Sequence, residues 1–90
     1  MMKAFLEANR ETLDLYTNAI TKAHGQNHPE VFEVRKLYLA MQHKMDNGNW
    51  EMQDELEQLA AITNNFVIPS DACETLTQTY QMFQKLNELR

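Results

Sequence analysis

The apolar positions at the start of the chain recur at spacings of mostly three, four or seven residues, which is the spacing of one face of a helix. This pattern predicts a first helix over about residues 2–24, followed by the polar joint KAHGQNHPE (22–30). Its predicted buried stripe consists of Met2, Phe5, Leu6, Leu13, Tyr16, Ile20 and Ala23.

Three more segments carry a helical pattern, over about residues 29–46, 50–63 and 70–89. The seam of the second helix is narrow, which suits near-antiparallel packing at a shallow crossing angle. On the third helix, we expect Glu51, Asp54, Glu55 and Glu57 to point largely outward. The predicted inward side chains are Val31, Val34, Tyr38, Met41 and Met45 on the second helix, Met52, Leu56, Leu59 and Ile62 on the third, and Leu76, Tyr80, Phe83 and Leu86 on the fourth.

The joints contain residues that end and begin helices. We expect Gly25 to end the first helix in the left-handed conformation, and Asn27, three residues before Glu30, to cap the second helix. The stretch DNGN (46–49) suits a tight turn with positive φ. Ser70, which follows Pro69, is expected to cap the fourth helix.

The whole chain therefore predicts an all-α fold. No segment alternates like a strand, and every joint is short, so the natural packing is an up-and-down bundle of four helices. We expect residues 1–90 to form one helical domain, because no linker or repeat divides them.

Composition indicates a folded domain, and the net charge excludes some classes of binding partner. With 43% hydrophobic and 23% charged residues, the chain has the composition of a folded globular domain. Its net charge of −5 repels nucleic-acid phosphates and anionic membranes, so we expect neither as a partner. The first residues show no signal peptide or membrane span. The single cysteine, Cys73, agrees with a cytoplasmic location.

The three histidines are the first candidates for chemistry. His24 is either a metal ligand at a helix end or a histidine whose charged form is favoured by the carboxyl end of the helix, and we prefer the second interpretation. His28 lies beyond the glycine turn and is expected to make local hydrogen bonds there. His43 lies off the apolar seam and is expected to be a solvated surface residue.

The single cysteine also has two interpretations. Cys73 is either a reactive thiol in the first turn of the fourth helix or a small buried apolar side chain, and we prefer the buried interpretation. No phosphate-binding glycine loop, Ser/His/Asp set or zinc-type spacing is present, so we do not expect an enzyme.

Two stretches resemble one family. HGQNHPEVFEVRKLY (24–38) is similar to the "HG..HPEL" segment of the hemerythrin-like di-iron proteins that repair iron–sulfur clusters. LAAITNNFVIPSDACETL (59–76) is similar to a later segment of the same domain. The resemblance implies a hemerythrin-like bundle and, in its complete form, a di-iron site built from histidines and carboxylates on four helices.

When the ligand positions of the family are compared with this sequence one by one, most of them have no matching ligand. His24 matches one metal ligand. The ligand positions of the first three helices otherwise fall near Lys3, Gly48 and Asn49, and the last pair would lie beyond Arg90. The resemblance therefore implies a bundle that keeps the fold and has lost most of its iron ligands.

From these features, we expect a non-enzymatic helical binding or regulatory module, derived from the repair proteins and without a cofactor. Its six methionines suit adaptable contacts with a protein partner or a second copy, and we expect a homodimer. The alternative is a metal-binding stress-response protein in cluster repair, in which iron is bound across a dimer by His24 and by Glu7, Glu11 or Glu55.

Overall fold

The computed structural model describes residues 1–90 and consists of four helices. Helix α1 spans Met2–His24, α2 spans Glu30–Asp46, α3 spans Gln53–Ile62 and α4 spans Glu74–Glu88. Helix α1 packs against α2 and α4, α2 packs against α3, and α3 meets α4 over a smaller interface. The bundle measures 35 × 21 × 18 Å. The predicted all-α four-helix architecture is confirmed. None of the helices combines the length and the apolar character needed to cross a membrane.

The core contains every inward position predicted for α2 and α4, and Leu37 in addition. On α1 the prediction is less accurate, since Ala23 is exposed and the polar Thr17 is fully buried instead. Burial of Thr17 leaves no unpaired group, because its hydroxyl donates to the carbonyl oxygen of Leu13 at 2.7 Å.

Ion pairs show how α1 and α2 lie side by side. Nη1 of Arg35 donates to a carboxylate oxygen of Asp14 at 2.7 Å and to the hydroxyl of Thr17 at 2.9 Å. Near the other end of α2, Arg10 donates to Asp46 at 2.8 Å. An early residue of α1 thus meets a late residue of α2, so the two helices are antiparallel.

The predicted left-handed conformation of Gly25 is wrong. Its φ of −58° and ψ of −31° are right-handed. Glycine is required there because a Cβ atom would lie against the backbone carbonyl oxygen of Thr21 and 2.5 Å from the ring of Phe32. The positive φ falls instead at Gly48, where φ is 74°, in the turn predicted from DNGN.

Helices α2 and α3 begin later than predicted. Pro29 occupies the cap position of α2 without a side-chain hydrogen bond, so the expected cap at Asn27 is wrong. Helix α3 begins at Gln53, not at residue 50, because the side chain of Asn49 accepts a hydrogen bond from the N–H of Glu51 at 2.9 Å. Residues 49–52 are therefore not helical.

The predicted cap of α4 at Ser70 is also wrong, because the helix begins at Glu74 and its cap is Cys73. The loop before this helix contains an unusual run of backbone angles. Asn64, Asn65 and Phe66 have φ angles of 54°, 62° and 63°, so three consecutive residues are left-handed. This path buries Phe66 in the core and leaves the following residues in a loop.

Candidate functional site

Five titratable side chains gather where the α1–α2 joint meets the loop before α4. They belong to segments far apart in sequence, and the antiparallel packing brings them to one end of the bundle. We call this cluster the histidine–cysteine end, and it consists of His24, His28, Glu30, Asp71 and Cys73.

The contact between His24 and Cys73 joins the last turn of α1 to the start of α4. Nε2 of His24 lies 3.1 Å from Sγ of Cys73. The same sulfur accepts a hydrogen bond from the backbone N–H of Leu76 at 3.4 Å, as the cap of α4. Cys73 is exposed, so its predicted role as a buried apolar side chain is wrong. This pair was not predicted, because its members are 49 residues apart in sequence.

The two ring nitrogens of His28 each contact a carboxylate. Its Nε2 lies 2.8 Å from Oδ1 of Asp71, and its Nδ1 lies 3.2 Å from Oε2 of Glu30. The hydrogen bond with Asp71 raises the pKa of His28, and the charges of both carboxylates add to this effect. The same hydrogen bond lowers the pKa of Asp71. The local contact with Glu30 agrees with the predicted role of His28 in the turn, whereas the link to Asp71 was not predicted.

A buried hydroxyl lies within electrostatic reach of this cluster. Tyr80 is 1% exposed, and its hydroxyl oxygen has no hydrogen-bond partner. Burial raises the pKa of Tyr80 to about 12, and the negative charge of Glu30 adds to the shift. The phenol is therefore neutral at physiological pH.

The carboxylates proposed as partners of His24 lie elsewhere. Glu7 and Glu11 are exposed on α1, about one and a half and two and a half turns from the start of the helix and far from His24. Glu55 was predicted to point outward, but it is buried and forms an ion pair with Lys44, with Nζ 2.9 Å from Oε2. Burial removes water from the carboxylate of Glu55, which costs free energy, and the ion pair with Lys44 offsets that cost. His43 is exposed, as predicted.

The donor set of one chain does not fit a di-iron centre. No group of three or more His, Cys, Asp and Glu side chains is arranged to hold a metal ion. At the positions compared above with other ligands of the hemerythrin-like proteins, Lys3 places its ammonium 5.4 Å from the ring centre of Trp50, and Gly48 and Asn49 lie in the α2–α3 turn. An ammonium group and a glycine supply no electron pair from a side chain, so Lys3 and Gly48 cannot replace histidine ligands.

A second feature is an open groove between α1 and α4. It has a volume of about 330 Å³. We call it the α1–α4 groove, and its lining residues are Phe5, Asn9, Gln78, Gln81, Met82 and Lys85. The sequence pattern identified Phe5 as an inward position but missed Met82, which lies one residue before the buried Phe83 and is itself half-buried. The available signal in the sequence was that Met82 is apolar and adjoins Phe83, a predicted core position.

The groove is separate from the histidine–cysteine end. Asn9 precedes His24 by fifteen residues on the same helix, which is about 22 Å along its axis. The two features can therefore be altered independently.

Comparison of the chain with protein-family models, with curated proteins and with solved structures finds no match.

Proposed function

We propose that this protein is a non-enzymatic helical binding or regulatory module that holds a helix of a partner protein in the α1–α4 groove. The observation that supports this proposal is the groove itself, which is open to solvent and crosses two helices. A groove between two helices suits an amphipathic helix, which inserts its apolar side chains and leaves its polar face in water.

The lining of the groove suits noncovalent contact. Phe5 and Met82 supply apolar surface, and the flexible thioether of Met82 adapts to side chains of different shape. Three amide side chains offer hydrogen bonds at the edge, and Lys85 offers a positive charge. The partner helix is therefore expected to present an apolar anchor next to a carboxylate.

The test is selection from a display library of amphipathic helical peptides in which acidic positions flank apolar ones. We expect enriched peptides to bind the wild-type protein and to lose binding to Met82→Glu, which places a charge in the groove. Gln84→Glu is the matched control, because Gln84 is exposed on the same helix outside the lining. Failure to enrich any peptide, or equal binding to both variants, would refute the groove as the binding site.

We also propose that the protein forms a homodimer, works in the cytoplasm and descends from the hemerythrin-like cluster-repair proteins. A chain of this size has a small core, and self-association adds buried apolar area. The lone thiol of Cys73 is compatible with a reducing compartment. Sedimentation velocity at high micromolar concentration tests the dimer, and a single monomeric species would contradict it.

A further inference from the structure

The contact of His24 with Cys73 brings together two good ligands for a soft metal ion. One comes from the last turn of α1 and the other from the cap of α4, with Nε2 and Sγ 3.1 Å apart. Cys73 is exposed and His24 is half-buried, so solvent reaches the pair. Imidazole and thiolate are the ligands of structural zinc sites in proteins.

The distance between the two atoms is close to that required. With Zn–S at about 2.3 Å, Zn–N at about 2.0 Å and tetrahedral angles, the sulfur and nitrogen ligands lie about 3.5 Å apart. The observed 3.1 Å requires an opening of roughly half an ångström. A small side-chain rotation provides this opening, and the ion then replaces the contact between the two side chains.

One chain supplies only these two ligands. Both ring nitrogens of His28 already face carboxylates, at 2.8 Å from Asp71 and 3.2 Å from Glu30. No third ligand is arranged beside the pair. Structural zinc sites are usually closed by four protein ligands, so a second source of ligands is needed.

We propose that two copies of this chain bind one zinc ion between them, each through His24 and Cys73. The inference rests on the homodimer proposed above and assigns it a site. Two copies give two thiolates and two imidazoles, a tetrahedral set that selects zinc over the iron implied by the resemblance to di-iron proteins. Binding releases the two thiol protons, so affinity is expected to fall as the pH falls.

The surface beside the pair is suited to a second copy. Phe32 is 54% exposed, and its ring lies against Gly25, the residue that follows His24. A copy held by the ion covers both Phe32 rings and removes apolar area from water. Charge repulsion is limited there, because His28 lies between the carboxylates of Asp71 and Glu30.

The experiment is an anaerobic titration of the reduced protein with cobalt(II), a coloured substitute for zinc, followed by absorption and by sedimentation velocity. We expect a thiolate-to-cobalt charge-transfer band and tetrahedral cobalt bands that saturate at one ion per two chains, together with a dimer that zinc maintains and EDTA dissociates. Cys73→Ser and His24→Ala are expected to lose the charge-transfer band and the metal-dependent dimer. His43→Ala, which removes the exposed histidine of α2, is the matched control and is expected to retain both.

Each other outcome has a definite meaning. Absence of the charge-transfer band, with a folded protein by circular dichroism, overturns the metal site. Saturation at one ion per chain in a monomer overturns the bridge between copies. A dimer that persists in EDTA and in Cys73→Ser supports self-association through another surface and overturns this inference. A monomer under every condition overturns both.

Discussion

Nε2 of His28 lies 2.8 Å from Oδ1 of Asp71, and this contact ties the α1–α2 joint to the loop before α4. The two residues are 43 positions apart in sequence. Because Nδ1 of the same ring faces Glu30, the imidazole lies between two carboxylates. Protonation of His28 therefore strengthens the contact between the α1–α2 joint and the loop before α4.

The first prediction concerns pH. The pKa of His28 is raised above its ordinary value of 6.5, so its stabilising contribution is fully present below pH 6.5 and is lost as the pH rises through the folded-state value. In the acid range the pKa of Asp71 is lowered from 3.8, so its contribution is present above that pH and is lost as the pH falls through the folded-state value. Asp71→Asn is expected to flatten both parts of the stability profile.

The measurement is the free energy of unfolding in urea at a series of pH values for wild type, Asp71→Asn and His43→Gln. His43 is exposed and forms no side-chain ion pair, so the control profile is expected to follow that of wild type. An Asp71→Asn profile that is parallel to wild type above pH 6.5 would show that the contact with His28 does not contribute.

The second prediction concerns the ion pair of Lys44 with Glu55. The side chain of Glu55 is only 10% exposed, and Lys44 also donates to the carbonyl oxygen of Glu51 at 3.0 Å. Lys44→Met leaves the carboxylate without its partner and is expected to cost about 1–3 kcal/mol of stability. Adding Glu55→Gln is expected to recover part of that loss, because the unpaired charge is removed.

Urea unfolding of the two single variants and the double variant gives the coupling energy of this pair. Lys36, which is exposed on the same helix and has no ion pair, provides the control substitution Lys36→Met, expected to change stability by less than about 0.5 kcal/mol. Additive losses in the double variant would mean that Lys44 and Glu55 act independently.

The third prediction concerns the hydroxyl of Thr63, which supports the left-handed segment before α4. It donates to the carbonyl oxygen of Leu59 at 2.7 Å and accepts a hydrogen bond from the N–H of Phe66 at 2.9 Å. Thr63→Val keeps the shape but leaves that buried N–H unpaired, at an expected cost of about 1–3 kcal/mol. Thr63→Ser retains the hydroxyl and is expected to cost about 1 kcal/mol for the lost methyl group.

Thermal and urea unfolding of both Thr63 variants test this difference. A valine variant as stable as the serine variant would show that the hydroxyl is not what holds the segment. Hydrogen exchange at Phe66 gives a local measure, because the N–H loses its acceptor only in Thr63→Val.

The helices were predictable because their signals are periodic and local. The seam of Val31, Val34 and Met41 is buried as its spacing requires. The start of α4 at Glu74 and the left-handed conformation of Asn64 and Asn65 were not predictable in this way. Ser70 is a good helix cap in isolation, and tertiary packing overrides that preference.

The candidate sites were less predictable than the fold because their residues come together only by packing. His24 was recognised as a candidate ligand, but its neighbour Cys73 is 49 residues away. The acidic residues of the third helix also gave no reason to expect Glu55 to be buried, since its partner Lys44 lies on another helix. Side chains that meet across helices require the register between those helices, which the apolar pattern alone does not specify.

The last prediction concerns Gly25, which is needed for space. Its backbone is right-handed, and an added Cβ would lie 2.5 Å from the ring of Phe32 and against the carbonyl oxygen of Thr21. Gly25→Ala is therefore expected to cost about 1–3 kcal/mol, and Phe32→Ala in the same chain is expected to recover part of the loss by removing the ring. Gly48→Ala is the matched control, because φ there is 74° and no atom lies within 4 Å, so strain alone costs about 1–2 kcal/mol. Urea unfolding that showed equal recovery by Phe32→Ala in both glycine variants would contradict a steric role for Gly25.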